Sequence, residues 1–137
     1  MLRALAISTI LIVSSGSTIQ IANAEDAAPK SSQGFTASKT TVVELGSEIE
    51  GMAGRQLRLR MLTIEPDGHT GIHTHNDRPA VVYVVQGTDE VVQADGSKKT
   101  LHPGDTSTAT KVTNHYHHNI GKDNVVLIAV DIFHTSK

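Results

Sequence analysis

The chain has 137 residues, no cysteine, 3% aromatic residues and a formal net charge of −2. Without cysteine there is no disulfide, thiol nucleophile or thiolate ligand, so the fold has to rest on packing, with help from a metal ion where one is held. Lysines and arginines are scattered and aromatics sparse, which excludes a basic groove with stacking rings and, with it, nucleic acid as a partner.

The first residues, Met1-Leu2-Arg3, carry positive charge and precede an apolar run from Ala4 to Val13. Ala22-Asn23-Ala24 then supplies a small-x-small cleavage pattern, so residues 1–24 read as a secretory signal peptide and the mature chain begins at Glu25. The run is short for a bilayer span, which needs roughly 20 apolar residues, so no stable membrane anchor is expected after cleavage. The destination is then the periplasm of a Gram-negative source, and secretion otherwise. The mature chain suffices for one small domain and not for two.

Residues 25–38 are small and polar and read as a flexible leader before a domain spanning 39–137. From Lys39 the texture changes to short β-type runs. Extended segments are predicted at Thr40–Leu45, Arg55–Ile64, Ile72–His75, Ala80–Gln86, Asp89–Ala94, Lys99–Leu101, Asp105–Ala109, Asn114–Asn119 and Val125–Phe133. Pro66-Asp67-Gly68, Asp95-Gly96 and Gly121-Lys122-Asp123-Asn124 punctuate them as turns. Strands recur every eight to twelve residues and no amphipathic helical period survives, which argues for an all-β sandwich or barrel.

Seven of the eight histidines fall between His69 and His118. His73 and His75 are separated by one residue, so in a strand both point to the same face and can share one ion. A third ligand has to come from the cluster His115-Tyr116-His117-His118. Imidazole suits Fe, Mn, Ni, Cu or Zn, and three protein ligands leave positions open for water or substrate. The alternative is a set of surface and turn histidines.

The arrangement resembles the cupins, small double-stranded β-helix barrels of the jelly-roll class. Their first motif runs Gly, five residues, His-x-His, three or four residues, Glu, six residues, Gly; His73, His75 and Gly87 fit it, while Asp67 stands in the leading glycine's register and Ala80 in the glutamate's. Their second motif runs Gly, five residues, Pro-x-Gly, two residues, His, three residues, Asn; Gly104, His115 and Asn119 fit, with Thr110-Lys111-Val112 in place of Pro-x-Gly. The resemblance covers about Leu57 to Phe133 and implies a divalent transition metal (Fe, Mn, Ni, Cu or Zn) on His73, His75 and His115, the carboxylate ligand being lost at Ala80. Three-histidine iron sites occur among thiol-dioxygenase cupins.

Other carboxylates near the pair are Glu65, Asp67 and Asp77, of which Asp77 is nearest in sequence and is explained more simply as a turn residue. His117 shares parity with His115 and Asn119 and points inward; it reads as a fourth ligand, a pocket acid/base, or a lining histidine bonded to a neighbour. His118 and Tyr116 take the outer face, while His69 and His102 sit in turns. Along β-type residues 80–87, Val82, Val84 and Gln86 face inward and Val81, Tyr83 and Val85 outward, which predicts a mainly apolar pocket wall. Leu57, Leu59 and Met61 share one face of their segment, and Arg58, Arg60 and Leu62 the other. An arginine there either faces solvent, the ordinary case, or reaches an anionic substrate through its guanidinium fork.

Three functions are expected on this reading. The first is an exported metal-dependent oxidoreductase, dioxygenase-like, acting on a small organic molecule. The second is a non-catalytic metal- or small-ligand-binding barrel. The third is a metal-independent isomerase or lyase of the kind the resemblance also includes. The resemblance further implies a possible homodimer through a sheet face, with Tyr83 among its outward residues.

Overall fold

The computed structural model describes residues 27–134, so the secretory segment 1–24 and the start of the leader lie outside the described residues. Among the described residues there are nine strands: β1 Gln33–Glu44, β2 Arg55–His69, β3 His73–Thr74, β4 Ala80–Gln86, β5 Asp89–Gln93, β6 Lys98–Leu101, β7 Thr106–Ala109, β8 Asn114–Asn119 and β9 Val125–His134. They hydrogen-bond in the order β6-β5-β8-β2-β9-β4-β7, with β1 added on β2 and β3 on β8. Every pairing is antiparallel, and the path curls into a nearly closed barrel of jelly-roll type. The all-β double-stranded β-helix read from the sequence is therefore the fold observed.

The inner face shows why the barrel closes at one end and stays open at the other. Alternation puts Ile64, Leu62, Arg60 and Arg58 of β2 inside, beside Val125, Leu127, Ala129 and Asp131 of β9. Val84, Val82 and Ala80 of β4 continue the same rows. Ile64, Val84, Val125 and Leu127 are 0% exposed, and with Leu62, Val91, Leu101 and Ala129 they fill one end as a packed core. Toward the other end the rows become small and charged, so the same strands leave a cavity there.

The Pro66-Asp67-Gly68 turn does not end β2; it bends it. Gln33 pairs with His69 and Phe35 with Ile64, so Glu65–Gly68 bulge out of the β1–β2 register. A Cβ on Gly68 would lie 2.8 Å from the Glu65 carbonyl oxygen and 3.0 Å from that of Gln33, so only glycine fits the bend. Beyond it β2 joins β8 through His69 and His118. His69 thus belongs to a strand rather than to a turn.

Three further expectations are corrected. The leader is not loose up to residue 38: β1 begins at Gln33, and upstream of it Ile72 N donates to the Pro29 carbonyl at 2.7 Å and Gly71 N to Ser32 Oγ at 3.0 Å. A polar segment is ordered here because the β2–β3 connection offers it unpaired backbone donors. Arg58 and Arg60 do not face solvent; it is Leu57 and Leu59 that are exposed, at 41% and 39%. Gln86 is exposed at the strand end, donating to the Asn124 carbonyl at 3.0 Å, while Val82 and Val84 do face inward.

Gly87 has φ of +86°, and a Cβ there would meet the Asn124 carbonyl oxygen at 2.7 Å. Gly87→Ala is expected to destabilise the fold by at least about 1–2 kcal/mol, measured as a lower midpoint of chemical unfolding. An unchanged midpoint would mean that β4 does not turn into β5 through this tight approach.

Candidate metal centre

β3 pairs with β8 so that His73 lies directly opposite His115. His75 follows His73 by the strand period, and its N–H donates to the Thr113 carbonyl at 3.1 Å, which continues the pairing past β3. The three rings meet with centroids 4.9–5.1 Å apart. Their ligand nitrogens all lie within 4.8 Å of one another, and His75 and His115 are buried.

Backbone carbonyls fix the tautomers. His73 Nδ1 lies 2.9 Å from the Gly71 carbonyl, and His75 Nδ1 lies 3.0 Å from that of Arg78. A carbonyl can only accept, so each Nδ1 carries its proton and each Nε2 presents a lone pair, the form in which imidazole ligates a metal. His75 Nε2 and His115 Nε2 are 3.1 Å apart. Two imidazoles sharing an ion at 2.0–2.1 Å would hold their nitrogens about 3.0–3.4 Å apart. The donors, their protonation and their spacing therefore fit a divalent transition ion, and the triad is capable of coordinating one.

Burial keeps the ligands neutral. It holds the His73 pKa down at about 4 against the raising effect of the Gly71 hydrogen bond. His115 is pushed to about 2 by burial and then by the neighbouring His117, His73 and His75, and His75 is lowered mainly by burial.

Ala80 stands at the cavity wall, opposite Asp131 on β9 and Ala109 on β7, and contributes no ligand. The alternative carboxylates do not replace it. Asp77 is taken by Arg55 at 2.6 Å, Asp67 is 97% exposed, and Glu65 is exposed on the bend. His117 is inside, with its ring 4.9 Å from that of His115, but it lies outside the ligand triad. Its Nδ1 is 2.7 Å from Asp89 Oδ2, the lining role bonded to a neighbour that its parity allowed. His118 faces outward near Asp67, and His102 is exposed.

The residue that sequence reasoning missed is Asp131. It is 2% exposed, and Arg58 grips it with both prongs, Nε to Oδ1 at 2.9 Å and Nη2 to Oδ2 at 2.7 Å. Arg60 Nη2 adds a third bond at 3.2 Å, and Arg78 Nη1 lies at 3.6 Å. Burial works to raise the Asp131 pKa, but the Arg58 bonds and the Arg60, Arg58 and Arg78 charges outweigh it and leave the carboxyl lowered. Arg58 also stacks on Phe133, 3.7 Å from the ring centroid. The available signal was a lone acid at the inward parity of β9 matched by arginines at the inward parity of β2.

These groups surround a cavity of about 320 Å³, within the range of small-molecule sites. An apolar wall is present, but of the residues expected to form it only Val82 lines the cavity, with Leu62, Ala80, Ala109 and Ala129, while Val84 belongs to the packed core. Beside it the lining is charged, with Arg60, Arg78 and Asp131, and Ser31 and Ser32 of the leader also line the cavity.

The Cupin_2 family model, described as "Cupin domain", matches residues 60–131. No curated protein matches the chain. Among solved structures, the chain is similar to the polyketide cyclase RemF from Streptomyces resistomycificus, at 18% identity and a TM-score of 0.58 over 77% of this chain and 68% of that one. The Cupin_2 domain of an XRE family transcriptional regulator from Enterobacter cloacae gives 16% identity and 0.56, over 77% of this chain and all (100%) of that one. A predicted oxalate decarboxylase from Thermotoga maritima gives 15% and 0.51, over 69% and 92%. At these identities the likeness is one of fold.

Two outcomes test the centre. Elemental analysis of the purified protein is expected to find near-stoichiometric transition metal, falling to background in both His73→Ala and His115→Ala; metal retained in His115→Ala would remove that residue from the ligand set. In the metal-free protein, His73 and His115 bind protons more weakly folded than unfolded. Stability is then full above pH 6.5 and declines as pH falls toward about 4, where His73 titrates, and on toward about 2 for His115. His115→Gln should flatten this slope in chemical unfolding, and an unchanged slope would mean that His115 is not the buried neutral base described. Because the family model spans more than half of the chain and the barrel carries a buried histidine triad, the protein belongs to the cupin family.

Proposed function

We propose that this cupin is an exported metal-dependent oxidoreductase, dioxygenase-like, that acts on a small organic molecule held in the cavity. The observation that carries the reading is the convergence of three neutral histidines on the wall of a cavity large enough for such a molecule. A bound first-row ion would supply Lewis acidity and redox capacity. The chain's own residues do the rest: Gly71 and Arg78 carbonyls orient His73 and His75, Leu62, Val82 and Ala129 exclude water, and the arginine rim orients the substrate. Export is supported by the charged start, apolar run and Ala22-Asn23-Ala24 pattern.

A second reading, a non-catalytic metal- or ligand-binding barrel, draws on the tie between His117 and Asp89, which engages the cavity's remaining histidine with a buried acid. Oxygen consumption by the iron-loaded protein with catechol, flavonol and thiol panels separates the two. Uptake with one of these classes that disappears in His73→Ala is expected; metal at full occupancy without uptake across the panels would favour the binder.

We also propose a homodimer through the outer sheet face. Leu57 and Leu59 on β2 and Val81, Tyr83 and Val85 on β4 are 39–52% exposed, with Ile128 and Val130 of β9 between them. An apolar patch spread over adjacent strands is the kind of surface that self-associates. Sedimentation is expected to give a dimer that Tyr83→Glu converts to monomer, and a monomeric parent protein would overturn this.

A further inference from the structure

The one acid among the cavity's described lining residues, Asp131, is shared by several guanidiniums: Arg60 and Arg78 line the cavity with it, and Arg58 binds the same acid. Arg58 already takes both carboxylate oxygens, so Arg60 and Arg78 are left with donors to spare. Arg60 reaches Oδ2 through Nη2, but its Nε is buried with no hydrogen-bond partner. Arg78 approaches no closer than 3.6 Å to the acid and 3.4 Å to the Thr74 carbonyl. That nitrogen has no accessible surface, so it adds to the cost of the cluster; what a ligand can reach is the exposed part of the Arg60 and Arg78 side chains, 21% and 24% accessible on the cavity wall.

The triad has the complementary deficit. Ala80, in register with Asp131 across β4 and β9, brings no carboxylate, so a divalent ion on three neutral histidines keeps its full charge. A dication held there would face the Arg60 and Arg78 guanidiniums across one small cavity.

We infer that the cavity takes a small organic carboxylate, whose anionic oxygens lie between the histidine triad and the Arg60–Arg78 rim and whose apolar body rests on Val82, Ala80 and Ala129. The geometry selects a carboxylate because a planar guanidinium fork matches its two oxygens, and the volume of about 320 Å³ with an apolar wall holds one small ring or short chain. The inference rests on the reading of this cavity as the working site, and it assigns that site a substrate class.

Titration calorimetry of the full chain with benzoate and its neutral analogue benzamide tests it, once with the protein zinc-loaded and once metal-stripped. Benzoate is expected to bind about tenfold or more tightly than benzamide in both forms, tighter with zinc, because a charge-assisted bond is the difference between them. Arg78→Gln should erase most of that preference without lowering the melting temperature, since Arg78 is partly exposed and Asp131 keeps Arg58. Arg60→Gln should do the same where it folds, and Arg78→Lys should restore part of it. Equal binding of the two probes, or of neither, overturns the inference even if zinc is held. So does a benzoate preference that requires zinc and ignores Arg78→Gln, since the ion alone would then capture the anion. A chain that takes no zinc yet keeps an Arg78-dependent benzoate preference would defeat the metal reading and leave the carboxylate site standing.

Discussion

Much of this molecule depends on one strand serving both sides of a barrel. Over residues 55–64, β2 pairs with β1 on one edge and β9 on the other, and past its bend it pairs with β8. Gly68 allows the bend because there is no room for a side chain among the carbonyls of Glu65, Gln33 and Gly34. Before the bend, β2 sends Arg58 and Arg60 toward β9; after it, Thr70 locks to β8, its N–H donating to the His117 carbonyl at 2.9 Å and its Oγ1 accepting from the His117 N–H at 3.0 Å. The bend therefore brings the arginine rim and the histidine strands to the same cavity. A side chain at residue 68 would disturb both.

The histidine centre was legible because its spacing is local. His73 and His75 share a face by the period of a strand, and no tertiary knowledge is needed for that. The third ligand was not local. Parity made His115 and His117 equivalent, and the motif resemblance chose His115; the structure separates them physically, since β8 places His115 opposite His73 while His117 is drawn one step deeper to Asp89. The strand pattern was also largely readable, from β-branched runs between Gly, Pro and Asp turns. It ran short at the start, because nothing in the composition of Gln33–Ser38 reveals that β2 has an open edge for it to pair with.

The arginines were misread for an instructive reason. Both faces of Arg55–Met61 carry apolar residues or long side chains with apolar stems, so hydrophobicity does not say which face is inside. Placing Leu57 and Leu59 in the core is the natural choice for a monomeric sheet, yet the barrel puts them outside, at 41% and 39% exposure, and turns the arginines inward, partly buried. What decides the phase is Asp131, seventy-one residues beyond Arg60, which no periodicity within β2 can report. Holding one buried acid against three partly buried guanidiniums costs desolvation of each ion, which competes with their attraction.

That surplus and the missing glutamate are better understood together than apart. A carboxylate at position 80 would have faced the triad from beside Asp131, lowered the charge of a bound ion and supplied Arg60 and Arg78 with an acceptor. Alanine removes all three effects at once and frees the space that the side chain would have filled. On the proposed reading the site would then attract an external anion more strongly than a four-ligand centre, and would hold its metal less strongly. Metal and anion would be coupled on that reading: a bound ion attracts the anion and the anion offsets the ion's charge, so each should bind more tightly when the other is present, by the same factor in both directions. A barrel arranged in this way would keep its ion best when such an anion is bound, which would tie occupancy of the centre to the presence of that ligand.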